Sequence, residues 1–183
     1  KHYNFSSADI ILQKTPYTFD VSVWEIFMPL WFGSKMVLCE KEDIGSPERI
    51  LSMIEKQGIT CLHFVPSMLN TFIATLFSNP DIDNKLKSLS KVITSGEALS
   101  VETVKRWYEK VAIPIYNLYG PTEASVDVTH YTTSKKDTNI IPIGKPIWNT
   151  QMYVLGKDQQ LLPVGVIGEL CIGGEGLARG YLN

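Results

Sequence analysis

The chain has 183 residues, enough for about one domain with a sizeable core. Its 17 Lys and Arg stand against 19 Asp and Glu, a formal net charge of −2, without the basic excess of a general nucleic-acid binder. Hydrophobic residues at 44% and charged residues at 20% exclude the disordered signature, and no apolar run approaches the ~20 residues that cross a bilayer.

The chain opens Lys1-His2-Tyr3-Asn4 with no apolar stretch behind it, so no signal peptide is read there. Phe19-Asp20-Val21-Ser22 then precedes an apolar run, Val23 to Phe32, that reads as a buried helix with Trp24, Trp31 and Phe32 in the core. Asp20 in this company is either the N-cap of that helix or the partner of a buried cation. Lys35 to Cys39 reads as a strand. The charge run Glu40 to Asp43 is a solvated loop. Ser46, Pro47 and Glu48 start a helix as N-cap, first helical residue and acid at the positive end of the dipole. That helix runs to about Gln57, and Gly58 stops it.

Ile59 to Val65 is the next strand, and Ser67 to Phe77 a helix by the spacing of Met68, Leu69, Phe72, Ile73 and Leu76. Residues 79–84 form a turn-rich loop, and Leu89 to Thr94 a strand. Ser100 caps a helix to about Lys110 with Val101, Val104 and Trp107 or Tyr108 inward. Ile113 to Leu118 is again a strand. This alternation implies an α/β fold, a parallel sheet with flanking helices. Beyond about residue 125 come short strands, Val126 to Thr132, Gln151 to Leu155, Leu161 to Leu162 and Val166 to Ile172, separated by turns. They read as an antiparallel, barrel-like β segment. A boundary near 135–145 divides the chain into an α/β core, 1–135, and a partial β-barrel-like segment, 136–183.

Three cysteines, Cys39, Cys61 and Cys171, form no CxxC pair and suit small buried hydrophobes in a reducing cytoplasm. His2 and His130 read as surface residues, Trp107 and Trp148 as core, and Arg179 as one half of a structural ion pair.

Open parallel sheets bind ligands at the carboxyl ends of their strands. Thr94-Ser95-Gly96-Glu97-Ala98, Asn117 to Glu123 and His63 all fall there. Gly120 and Pro121 make a tight turn. Thr122 offers a hydroxyl to a phosphate oxygen, and Glu123 offers the hard carboxylate that Mg²⁺ takes. Tyr119 offers an aromatic face to a base. The Gly-rich stretch Gly168 to Tyr181 either holds a phosphate or needs positive φ. Neither a GxxxxGK[ST] loop nor a GxGxxG after a strand is present.

FDVS at 19–22, NLYGPTE at 117–123 and GELCIGGEGLARGYL at 168–182 resemble three core motifs of the adenylation domains of nonribosomal peptide synthetases. The resemblance covers essentially the whole chain. It implies the large N-terminal subdomain of an adenylate-forming enzyme. Such an enzyme joins a carboxylate to ATP with Mg²⁺, giving an acyl-adenylate, and passes the acyl group to the phosphopantetheine thiol of a peptidyl carrier protein, beside a condensation domain. By motif, Asp20 pairs with the substrate ammonium. Tyr119 stacks on adenine, Asn117 bonds its amino edge, and Gly96, Glu97, Ala98 and Gly120 approach the nucleotide by backbone. Thr122 contacts the α-phosphate and Glu123 holds Mg²⁺.

The resemblance also places Asp20, Val21, Trp24, His63, Ile93, Ser95, Leu118, Val126 and Asp127 in the side-chain pocket. Three of these, His63, Ser95 and Asp127, are polar in an apolar lining. A small hydroxylated side chain suits them, and the set resembles that of serine-activating domains, so L-serine is the expected substrate. Alternatives are threonine, an acyl- or aryl-CoA ligase of the same superfamily, and a non-catalytic binding module. The family's phosphate loop and mobile C-terminal subdomain lie outside this chain, which is therefore expected to be inactive alone. A cytoplasmic enzyme with no nucleic-acid or membrane partner is expected.

Overall fold

Strands and helices alternate through most of the chain because apolar β-rich runs are punctuated by cap residues. The structure, a computed structural model, describes residues 2–182. In chain order it contains β1 (Ile10–Gln13), α1 (Val21–Phe32), β2 (Lys35–Leu38), α2 (Pro47–Gln57), β3 (Cys61–Phe64), α3 (Pro66–Phe77) and the short α4 (Ile82–Lys85). Then follow β4 (Lys91–Thr94), α5 (Val101–Lys110), β5 (Ile115–Tyr119), a 3₁₀ turn at Thr122–Ala124, β6 (Thr129–Thr132), β7 (Lys145–Pro146), β8 (Thr150–Leu155) and β9 (Glu169–Gly174).

A seven-stranded sheet runs in the order β2-β1-β3-β4-β5-β6-β7. Its pairs from β2 through β5 are parallel, and β6 and β7 add antiparallel strands at one edge. The fold is thus the expected α/β sheet with an antiparallel extension. A separate hairpin, β8-β9, is antiparallel.

The caps sit where the residue types dictate. Ser46 Oγ accepts from the Arg49 amide at 3.4 Å, and Gly58 closes α2 at φ +67°. Ser100 Oγ accepts from the Thr103 amide at 3.1 Å. The main core lies between the sheet and the helices, with Leu62, Phe64, Phe72, Ile73, Val104 and Trp107 buried in it. The Trp107 indole donates to the Ile113 carbonyl at 2.7 Å, so its one polar atom is satisfied.

Several expectations change. β1, second from one edge of the sheet and paired with both β2 and β3, is a strand that the pattern reading passes over. The single helical turn of α4 starts inside the loop at 79–84, and Leu161 makes only an isolated bridge to Leu155. The expected buried helix does form as α1, but it faces the other way round. Ser22, Glu25 and Pro29 are buried, while Val23, Phe27, Leu30 and Trp31 are exposed. Trp31 and Trp148, expected in the core, are each 84% exposed.

The cause is Glu25. Its carboxylate accepts from the Lys14 amide at 3.2 Å, the Thr15 amide at 2.9 Å and the Thr15 hydroxyl at 2.8 Å. These bonds roll the charged face of α1 inward and tie the helix to the end of β1. Burial pushes the Glu25 carboxyl above its ordinary range, against the pull of the Thr15 and Lys14 bonds. Arg179, expected in an ion pair, makes none among the described residues. No helix among these residues is long and apolar enough to cross a membrane.

Candidate active site

A cavity of about 630 Å³ opens between α1, the ends of β4 and β5, and the turn that follows β5. Trp24, Ile93, Leu118, Val126 and Asp127 line it, drawn from four separate stretches of sequence. Of the remaining expected pocket residues, Asp20 and Val21 sit at the start of α1 and are half-buried. Asp20 occupies the N-cap position, yet its backbone is α-helical and its side chain makes no capping bond. The capping explanation for this carboxylate therefore fails.

His63 and Ser95 lie beneath the cavity rather than on its wall. Both are buried, and His63 Nε2 is 3.0 Å from Ser95 Oγ. The two satisfy each other, so an apolar ligand would not leave them unpaired. Burial, with the positive charge of Lys14 added, pushes His63 down to about 3 and keeps it neutral. Trp24 packs edge-on to the His63 ring at 6.2 Å between centroids.

Asp127 is different. Its Oδ1 is buried and has no partner among the described residues. Burial, and then the nearby negative charge of Asp20, push its pKa up to about 7. The turn that aims it is unusual. The Asp127 amide donates to the Ser125 carbonyl at 3.0 Å, and Val126 between them has φ +75°. That is a γ-turn with a β-branched residue at its centre, a strained arrangement of order 1–3 kcal/mol. It projects Val126 and Asp127 to the cavity. Gly120 makes it possible: a Cβ there would stand 2.5 Å from the Val126 carbonyl oxygen.

The polar motifs converge beside this cavity. Asn117 is buried, its Nδ2 donating to the Pro142 carbonyl at 3.0 Å, while Thr94 approaches its Oδ1 at 3.4 Å. Tyr119, at the end of β5, is 37% exposed and offers a ring face. Thr122 and Glu123 are exposed on the 3₁₀ turn. Gly96, Glu97 and Ala98 are exposed, and Gly96 turns the chain at φ +85°. Glu97 accepts from the Ser67 amide at 2.9 Å and its hydroxyl at 3.0 Å, which pins the loop after β4 to the start of α3.

The Gly-rich stretch folds back onto the same turn. Ser125 Oγ donates to the Gly176 carbonyl at 2.6 Å, the Ala178 amide to the Glu123 carbonyl at 2.7 Å, and the Tyr181 hydroxyl to Glu123 Oε1 at 2.7 Å. Gly174 and Gly180 adopt φ +131° and +119°, which favours the positive-φ reading of these glycines.

Several residues of the cavity wall escape the motif reading, Tyr3 and His130 among them. Tyr3 lines it, and His130, expected at the surface, is half-buried there with its Nδ1 unpartnered among the described residues. His2 is exposed, as expected.

The family described as AMP-binding enzyme matches residues 1–182. This chain belongs to the AMP-binding enzymes. Relatives of this AMP-binding chain are synthetases and synthases. Vanchrobactin synthetase VabF of Vibrio anguillarum is 45% identical over 99% of the chain, and zwittermicin A synthase ZmaJ of Bacillus cereus is 46% identical over 99%. Enterobactin synthase component F of Escherichia coli K12 is 40% identical over 100%. The chain spans only 7%, 35% and 14% of those three proteins.

Its fold matches the nonribosomal peptide synthetase FmoA3 with a TM-score of 0.91 at 25% identity, covering 100% of this chain and 20% of that one. The form of FmoA3 bound to alpha-methyl-L-serine-AMP matches with a TM-score of 0.89 at 26% identity, covering 97% and 20%. The fold is that of the N-terminal subdomain of an adenylation domain, and the family is one of adenylate-forming ligases.

Proposed function

We propose that this chain is the substrate-selecting centre of an amino-acid adenylation domain in nonribosomal peptide synthesis, and that its amino acid is L-serine. Residues 1–135 would form its α/β core and 136–183 part of a β-barrel-like segment of the same domain. One observation carries the serine reading: the Asp127 carboxylate, its Oδ1 buried and unpartnered, on a cavity whose wall includes Trp24, Ile93, Leu118 and Val126. A side-chain hydroxyl donates to it, and an apolar side chain leaves it unpaired at about 1–3 kcal/mol. The similar FmoA3 complex, which holds alpha-methyl-L-serine-AMP, supports the same class.

Asp20, free of a capping bond at the head of α1, takes the substrate ammonium. This couples the two carboxylates. An ammonium at Asp20 cancels the charge that helps hold Asp127 protonated, so binding the amino group favours the ionised Asp127 that accepts the hydroxyl proton. The substrate carboxylate is then directed toward Thr122, whose hydroxyl suits the α-phosphate of ATP. Tyr119 stacks on the base, and the Asn117 Oδ1 accepts from its amino group. The exposed Glu123 carboxylate fits Mg²⁺: Oε1 takes the Tyr181 hydroxyl, and Oε2 has no partner among the described residues. Mg²⁺ there would neutralise phosphate charge. Transfer of the seryl group to a carrier-protein phosphopantetheine, next to a condensation domain, completes the proposed reaction of the whole synthetase. The setting is cytoplasmic.

The test is amino-acid-dependent pyrophosphate exchange by a complete adenylation domain carrying these residues, run across twenty amino acids. Serine is expected to give the highest kcat/KM. A higher value for threonine, alanine or glycine refutes the serine assignment. Activation of an acid with no amino group points to a CoA ligase instead. The 183-residue chain alone is expected to show no robust exchange.

A further inference from the structure

We propose that Tyr3 is a further specificity-determining residue, its hydroxyl donating to the same substrate side-chain hydroxyl from which Asp127 accepts. This deepens the serine reading and rests on it. Tyr3 lines the same cavity as Asp127. Its ring is held in place by Tyr116 at 4.6 Å between centroids and meets His130 edge-on at 6.4 Å. Phenylalanine would supply that packing equally well. What tyrosine adds is the hydroxyl, which is buried and has no partner among the described residues. A buried tyrosine ordinarily finds a hydrogen-bond partner.

The orphaned groups are not scattered. Tyr3 Oη, Trp24 Nε1, Asp127 Oδ1 and His130 Nδ1 are all unpartnered, and all belong to residues that line this cavity. Ser34 is the one such residue elsewhere among those described. A donor-capable phenol and an acceptor carboxylate on one cavity match an alcohol, which donates once and accepts twice. The pair also interacts: burial first, and then the Asp127 charge, push the Tyr3 phenol above its ordinary range. The phenol therefore stays protonated and able to donate. Tyr3 lies outside the FDVS and YGPTE motifs and joins them only through the fold.

The experiment compares a complete adenylation domain with its Tyr3→Phe variant on serine and alanine, alongside thermal melts of both. The expected result is a serine-to-alanine ratio of kcat/KM about tenfold lower in the variant, with an unchanged melting temperature. Tenfold corresponds to one ordinary hydrogen bond, about 1.4 kcal/mol. An unchanged ratio overturns the proposal, as does an equal fall for both substrates, which marks a packing role alone. If the parent domain itself prefers an amino acid with no side-chain hydroxyl, the serine reading falls and this inference with it. If the parent prefers serine and the ratio does not move, only the role of Tyr3 falls.

Discussion

His63 Nε2 and Ser95 Oγ lie 3.0 Å apart with both residues buried, which makes them a closed pair under the cavity floor. Removing one partner strands the other. Ser95→Ala should therefore destabilise the chain by about 1–3 kcal/mol, read from urea denaturation. Replacing both, as His63→Phe with Ser95→Ala, should cost less than the two single changes added together. If Ser95→Ala unfolds at the same urea concentration as the parent, the pair is not contributing. The same burial makes Ser95→Ala a weaker lever on substrate choice than Asp127→Asn.

Asp127 and His63 oppose one another in pH. Asp127 ordinarily titrates at 3.8 and is raised to about 7 in the fold. Between those values the folded state holds a proton that the unfolded state has lost, so this residue makes stability fall as pH rises. His63 moves from 6.5 to about 3, so the unfolded state holds the extra proton and stability rises with pH over that window. From about pH 4 to 6.5 the two slopes largely cancel. Asp127→Asn removes one of them. Its stability relative to the parent should climb with pH by about 1.4 kcal/mol per unit through this range and level off above about 7. Denaturation at pH 5 and pH 8 measures this. A difference between variant and parent that is independent of pH would show that Asp127 is not raised.

In exchange assays on a complete domain, Asp127→Ala should reduce serine use selectively. Asp20→Ala should reduce every amino acid alike, because Asp20 meets the shared ammonium. A change of preferred side chain with Asp20→Ala would contradict the division of roles between the two carboxylates.

The sheet was legible from residue types because its helices carry ordinary signals. Ser46 and Gly58 bracket α2, and Ser100 begins α5, where cap chemistry requires them. The buried face of α1 is not legible in its sequence, for a physical reason. Apolar residues fall on every side of α1, so periodicity marks the buried face only weakly, and Glu25 within the run decides the orientation through contacts with Lys14 and Thr15 that lie outside the helix. β1, Ile10–Gln13, is bounded by the charged Asp9 and Lys14, which the fold buries but which the sequence reads as polar. The motifs marked the Asp20, Tyr119 and Glu123 region. They could not mark Tyr3 or His130, whose relation to the cavity arises from tertiary packing, nor reveal that His63 and Ser95 would satisfy each other.

Gly120→Ala tests the turn. A Cβ at this position would lie 2.5 Å from the Val126 carbonyl oxygen and 2.6 Å from the Asp127 Cα, both backbone atoms that cannot swing aside. The turn must shift, and with it Asp127. The expected outcome is a loss of about 1–3 kcal/mol or more, of the order seen for overpacking, with weakened serine binding in a complete domain. Unchanged stability and unchanged KM for serine would mean that the 119–128 turn has room to move.

Glu25 offers the sharpest test of how α1 is held. Glu25→Ala leaves the Lys14 and Thr15 amides and the Thr15 hydroxyl without their acceptor, in a buried setting. A loss of about 3 kcal/mol is expected, near the range for breaking a buried charged network. Glu25→Gln keeps one carbonyl acceptor and should cost less. α1 carries Asp20, Val21 and Trp24 at its first turns, so loosening it should also weaken serine binding in a complete domain. The weakening should follow the order Ala, then Gln, then parent. A Glu25→Ala variant as stable as Glu25→Gln would mean that the apolar contacts of Trp24 and Met28, which pack against the small cluster of Ile11, Cys61 and Ile93, hold the helix without the carboxylate.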